Sequence, residues 1–305
     1  MKVCLIIRSN KGSDINNFFD VSALRDASKK NGHQLYIIDP KDLIFLFNNN
    51  KLTIKTDTDI NLLDFDTYIL RLTYIKDEFK MQSDKFTIAQ YLISHNKFVL
   101  NFAEAMRFSS RSKIYDFYRL NKFDIPLIPT IYVESSDIKS SIQFIEKNNF
   151  NYPLILKSNK GLQGKNLFKI NNQNELELLL KKEKSISYLI QPYLKILHDL
   201  RVLVLGGVVL GAMDKIHTEN NFKGNISQGA IGKKFLLSND LENLARRAAI
   251  ADGSDFVGVD IAITNKGTFV LEVNRAPGFE GFSSYLNIDI GEKIIEFLEE
   301  KYKIL

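Results

Sequence analysis

The strongest constraint on the fold of this chain is a pair of apolar runs near its C-terminal end, each broken by one acid. Residues 257–263 read VGVDIAI and residues 267–274 read GTFVLEVN, with Asn265, Lys266 and Gly267 supplying a turn between them. Such runs joined by a short turn predict a β-hairpin. Asp260 stands between Val259 and Ile261, and Glu272 between Leu271 and Val273. An ionised carboxyl inside a buried sheet costs several kcal/mol unless something pairs with it. Alternation along a strand puts Glu272 and Asn274 on one side, and strand pairing brings Asp260 opposite them. Three oxygen ligands then converge, the hard-donor set that magnesium prefers when waters and nucleotide phosphates complete its octahedron. The alternative is that the two acids cap strand ends or pair with nearby lysines.

The rest of the chain is that of an ordinary globular protein. Of its 305 residues 45% are apolar and 25% charged, which excludes a disordered or fibrous architecture and predicts two or three packed units. No apolar run has the length of a membrane span, and the first residues lack the basic lead-in of a signal peptide, so a cytoplasmic location without membrane contact is expected. The single cysteine, Cys4, allows no internal disulfide or thiolate metal site and reads as core filler. The net charge of +5 is dispersed among acids and fits a polyanionic small ligand or an acidic substrate about as well as RNA, and a nucleic-acid partner is not expected. The four histidines have no metal-ligand spacing, and no GxSxG elbow is present.

Three segments are expected. Residues 1–95 begin β-α-β: the strand KVCLIIR, a helix over Val21 to Asn31, the strand LYIID, then KLTIKT, TYILRL and a helix from Phe79 to His95. The crossover rule predicts a small parallel sheet, Rossmann-like but without a glycine-rich dinucleotide turn. Residues 96–185 carry a helix over Ser112 to Lys122, the strand PTIYV, a helix over Ser136 to Asn148 and the strand YPLILK. Residues 186–305 hold clustered strands that predict an antiparallel sheet, with helices over Asn239 to Asp252 and Gly291 to Lys301. Lys157 ends PLILK and precedes a loop with Gly161 and Gly164; a lysine and backbone N–H groups so placed suit phosphate, although glycine turns are common between strands. Asp199 and Arg201 lie two apart in DLRVLVLGG and share a strand face, as ligand groups or as a surface ion pair.

The motif VGVDIAI followed by LEVNRAPGFEG resembles the C-terminal metal site of ATP-grasp ligases, and its VDI…EVN…PG form most resembles RimK-type glutamate ligases. The resemblance runs over nearly the whole chain and implies an α/β ATP-grasp fold, α+β in its C-terminal half, behind a Rossmann-like pre-ATP-grasp domain. It implies ATP and two magnesium ions, with Mn2+ as a substitute, held by Asp260, Glu272 and Asn274. Lys113 and Lys157 match nucleotide-binding lysines. YLIQPYL matches the hinge strand, where Gln191, Pro192, Tyr193 and Leu194 would border adenine. Pro192 replaces the usual acid and keeps only its carbonyl as an acceptor. Asp199 matches an acid on the ribose side, and Arg201 an arginine facing the phosphates and the reacting acyl group.

The polar stretch HTENNFKGNISQGAIG resembles the FRSN…GG loop, with Lys223 in place of arginine and Asn225 retained. A lysine keeps the charge and loses the bidentate fork. Arg201 and Lys223 would then be catalytic, and Arg71, Arg201 and Arg275 would face the substrate. The implied reaction is ATP-dependent carboxylate–amine ligation through an acylphosphate, joining glutamate or another amino acid to a peptide, protein or small-molecule acceptor. The family also implies a homo-oligomer, dimer or tetramer. Two other readings stand beside it: a ligase forming macrocyclic amides or esters on a precursor peptide, and a nucleotide-binding regulatory protein without turnover.

Overall fold

The structure, a computed structural model, describes residues 1–8, 16, 18–71, 78–105, 113–134, 138–159, 167–182, 186–216 and 231–304. It opens as expected with β1 (Lys2–Ile7), α1 (Phe19–Lys30) and β2 (Gln34–Ile38). A hairpin of β3 (Leu43–Asn48) and β4 (Lys51–Thr56) follows, then β5 (Thr67–Arg71), α2 (Glu78–Ser94) and β6 (Phe98–Leu100). The hairpin turns at Asn49 and Asn50, both with positive φ (46° and 59°), as a two-residue turn between strands requires. β3 had no counterpart in the sequence reading, because its run LIFLFN follows Pro40 without alternation. The parallel sheet has the order β2-β1-β5-β6. It therefore reaches Leu100, past the expected limit at residue 95.

After α3 (Phe102–Ala105) and α4 (Lys113–Lys122) comes a second layer: β7 (Ile131–Glu134), α5 (Ile138–Lys147), β8 (Leu154–Ser158), β9 (Leu167–Ile170), α6 (Gln173–Lys182) and β10 (Ser187–Pro192). Its strands pair antiparallel in the order β7-β10-β8-β9, and α5 and α6 bury Ile145, Leu176 and Leu180 against them. The third unit holds β11 (Ile196–Leu205), β12 (Val208–Ile216), β13 (Ile231–Phe235), α7 (Asn239–Asp252), β14 (Phe256–Thr264) and β15 (Gly267–Asn274), with α8 (Glu280–Leu286) and α9 (Ile290–Ile304) behind them. Its antiparallel order is β13-β12-β11-β14-β15.

The two faces of this five-stranded sheet differ. Leu200, Val202, Val204, Val257, Val259, Ile261, Val270 and Val273 point to one side and are covered by α7. On the other side Leu203, Leu205, Met213 and Phe256 pack with Val3, Leu5 and Ile7 of the parallel sheet and with α9. α9 thus leaves its own sheet and covers the first one, its stripe of Ile290, Ile294, Ile295 and Leu298 lying at helical spacing. It approaches α1 so closely that a Cβ on Gly291 would sit 2.8 Å from the Ala23 carbonyl oxygen. No described helix is long and apolar enough to cross a membrane.

Candidate functional site

β14 and β15 form the expected hairpin, with Asp260 directly opposite Glu272 and Gly258 opposite Asn274. A register shift between Asp260 and Ile261 makes Leu271 an extra residue in β15. That bulge lets Val270 and Val273, three apart, both enter the α7 core while Glu272 and Asn274 face the other way. β11 adds Arg201 opposite Asp260, and β12 adds Lys215. Asp199, Arg201, Lys215, Asp260, Glu272 and Asn274 therefore share one side of the sheet, the side that Leu203 and Met213 cover with apolar carbon further along.

Cations already surround Asp260. Arg201 donates from Nε and Nη2 to its two oxygens, both at 2.7 Å, and Lys215 Nζ lies 3.2 Å from Oδ2. Lys215 also pairs with Asp199 at 2.8 Å. Burial alone would push the Asp260 carboxyl up, but Arg201 and Lys215 outweigh it and hold the group at about 2. Burial by itself would lower the pKa of Lys215 and Arg201, and the acids beside them reverse that and raise both. Asp260 is thus a carboxylate paired with two neighbouring cations.

Glu272 is different. Its surface is exposed to solvent, while the surrounding protein still desolvates the carboxylate. Its pKa is raised by that desolvation and by Asp260 next to it, with Arg201, Lys215 and Lys157 pulling the other way. Among the described residues it has no ion-pair partner. Across the cleft Lys157 and Lys113 are both lowered by burial, and Glu272 heads the acids that restrain the shift. Carboxylates on one wall thus face lysines on the other, an arrangement that suits a divalent cation carrying a polyphosphate. Among the described residues no group of three or more His, Cys, Asp or Glu gathers as a metal set; the fitting set is two carboxylates and the Asn274 amide, whose Oδ1 accepts from the Ala276 N–H at 3.1 Å.

Lys157 enters from β8, which pairs with β10 so that Lys157 lies opposite Leu189. Two residues on, buried Asn159 accepts the Lys113 and Ile114 N–H groups on its carbonyl and Oδ1, at 3.4 and 3.0 Å, and donates its own N–H to Ser187. It starts α4 and places Lys113 at the cleft, a role that nothing in the run SNKG announces. In the hinge, Gln191 is buried and donates to Thr130 Oγ1 at 2.8 Å, while the Tyr193 N–H is committed to the Pro153 carbonyl. Pro192 ends β10, and the Leu194 N–H has no partner among the described residues. Lys169 Nζ sits over the Tyr193 ring, 4.1 Å from its centroid.

Arg71 pairs with Asp20 at 2.6 Å and lines a small crevice together with Asn101, Phe256, Arg275 and Ala276, beside the end of the hairpin. Arg275, expected on the substrate side with Arg201, departs from that placement: its guanidinium is buried against Asp252 and Asp116. Gly161, Gly164, Lys223 and Asn225 lie outside the described residues. Sequence reasoning missed Lys215, Asn159 and Asn101. Only Lys215 left a signal, a charge inside the run VVLGAMDKI. Asn101 joins units far apart in the chain, exchanging side-chain bonds with both backbone groups of Phe256 and donating to the Arg275 carbonyl.

Comparison with known proteins agrees with this fold. The model of the RimK-like ATP-grasp domain matches residues 111–298. A probable alpha-L-glutamate ligase of Pasteurella multocida is 26% identical over 313 residues, covering 100% of this chain and 96% of that protein. The human N-acetylaspartylglutamate synthase A is 31% identical over 191 residues, 61% of this chain and 48% of its own length. Among solved structures, the ATP-grasp ligase PsnB complexed with minimal precursor, Mg and ADP superposes with a TM-score of 0.74 at 17% identity, over 99% of this chain and 98% of that one.

Proposed function

The chain belongs to the RimK-like ATP-grasp family, and from that premise we propose that it adds glutamate or another amino acid to a peptide, protein or small-molecule acceptor. Ligation itself, the ATP-dependent joining of a carboxylate to an amine, comes with family membership and with the ligases and synthase it resembles. The observation that carries the assignment to this cleft is geometric: the hairpin register sets Asp260 beside Glu272 with Asn274 on the same side, and Lys157 and Lys113 lie close enough for the Glu272 charge to act on both.

Asp260, Glu272 and Asn274 would hold magnesium, two ions or manganese in their place, which when bound neutralises phosphate charge. Lys157 and Lys113 bind the phosphates from the opposite wall. The Leu194 N–H is the donor available to an adenine ring nitrogen at the hinge. Arg201 and Lys215 keep Asp260 ionised and in place, and their remaining donors border the reacting carboxylate. In the reaction a substrate carboxylate oxygen attacks the γ-phosphorus, ADP leaves, and the resulting acylphosphate loses phosphate when the amine attacks its carbonyl carbon. Charge neutralisation and alignment supply most of the acceleration in such a transfer.

The test is to incubate the protein with ATP, magnesium and pooled amino acids with peptide acceptors, following phosphate release and product mass. A mass gain of one or more amino-acid residues with stoichiometric ADP supports the proposal. A loss of one water from a peptide alone identifies ring closure instead. ATP binding without ADP release under every mixture rejects turnover.

A further inference from the structure

We propose that Arg275 is a positioning residue that locks α4 to the metal hairpin and so holds Lys113 in register with the nucleotide cleft. The inference rests on reading Lys113 as a nucleotide-binding lysine.

Asn274 is the last residue of β15, and Arg275 lies in the bend that follows it. Asn274 faces the cleft; Arg275 runs the other way, between two helices. Its Nε donates to Asp252 Oδ2 at 2.9 Å, its Nη2 lies 2.8 Å from the same oxygen, and Nη2 also pairs with Asp116 Oδ1. The Arg275 side chain is 8% exposed, that of Asp252 4% and that of Asp116 24%. One planar guanidinium thus joins three segments remote in sequence, a task for its fork that a lysine ammonium performs poorly.

The far side of this joint is rigid. Asp252 is the last residue of α7, closed by Gly253 in the left-handed region at φ 75°. The Arg275 carbonyl is held by Asn101 Nδ2 at 2.8 Å. The near side is α4, where Asp116 stands three residues after Lys113 and hence on the same helix face. Holding Asp116 therefore fixes where Lys113 points. Asn159 holds the same helix from the β8 side, so α4 is pinned to both walls of the cleft.

Direct electrostatics and positioning predict opposite signs. Removing the Asp116 charge makes the surroundings of Lys113 more positive and would by itself tighten binding of an anion. Loss of positioning weakens it. ADP affinity is measured by calorimetry on the full chain and on Lys113→Met, Asp116→Asn, the double variant and Arg275→Lys, with a melting curve for each to establish that it is folded. The expected result is about tenfold weaker ADP binding for Asp116→Asn and for Arg275→Lys, and less than about twofold further loss when Asp116→Asn is added to Lys113→Met. Unchanged or tighter binding by Asp116→Asn overturns the proposal, as does the same fold-loss in both backgrounds, which marks a general structural role. Wild-type affinity in Lys113→Met rejects the nucleotide role of Lys113 itself, and the proposal with it.

Discussion

One side of the five-stranded sheet is two environments laid end to end. Along β11 the side chains read Asp199, Arg201, then Leu203, Leu205; across from them β14 carries Asp260, then Gly258, then Phe256. The apolar end is closed by the parallel sheet and α9, while the polar end is left open as the cleft. The strands are continuous through both. The apolar end can therefore act as the anchor that holds the charged end still, and it contributes most of the burial energy on that side. The charged end sets Asp260 and Glu272 side by side opposite Lys157 and Lys113, where burial shifts Glu272 and both lysines away from their charged forms.

The largest effect that would separate the two ends is at Glu272. Replacement by Gln keeps the shape and removes the charge, and turnover of ATP should fall about 10³-fold, equivalent to roughly 4 kcal/mol. Because the folded protein raises the Glu272 pKa, its ionised form opposes folding at neutral pH. The ligand-free variant should then melt at the same temperature as the parent or higher. Steady-state phosphate release and a thermal melt check both halves, and full retention of turnover would sink the metal assignment.

At the other end, Leu203→Ala should do the reverse. Leu203 is fully buried in the cluster shared with Leu5, Phe279 and Leu298. Its truncation should cost about 2–5 kcal/mol in a urea titration, with kcat and KM for ATP unchanged in the protein that remains folded. A fall in kcat as large as that of Glu272→Gln would mean that the two ends are not separable.

Much of this was legible because strand periodicity is local. The positions of α7 and of the Asp260–Glu272 pairing follow from runs a reader can mark, and the charged breaks at Asp260 and Glu272 point to the candidate site. What was not legible depended on contacts between distant segments. α9 reads as a helix, but nothing in its stripe says that it covers the first sheet rather than its own. Arg275 follows the candidate ligand Asn274 in sequence, yet it stands in the bend after β15 and its side chain runs to Asp116 and Asp252. Asn101 and Asn159 act through single side-chain bonds to remote backbone, and an asparagine in a loop looks the same whether or not it does so.

The smallest effect lies at the boundary itself, Gly258. Its φ is not in the left-handed region, so the glycine is there for space. A Cβ would meet Pro277 Cβ at 3.2 Å and the Arg201 side chain at 3.4 Å (Cδ) and 3.6 Å (Cγ). The stem of Arg201 thus lies across Gly258 on its way to Asp260. Gly258→Ala should cost about 1 kcal/mol or less, because neighbours need to give by only tenths of an ångström and alanine gains against glycine in a strand. The same displacement moves the guanidinium against a bidentate geometry, so kcat should fall about three- to tenfold with KM for ATP little changed. Wild-type kcat in a variant with lowered stability would place Gly258 with the apolar end and show that Arg201 tolerates the shift; a fall beyond about 100-fold would place it within the charged end.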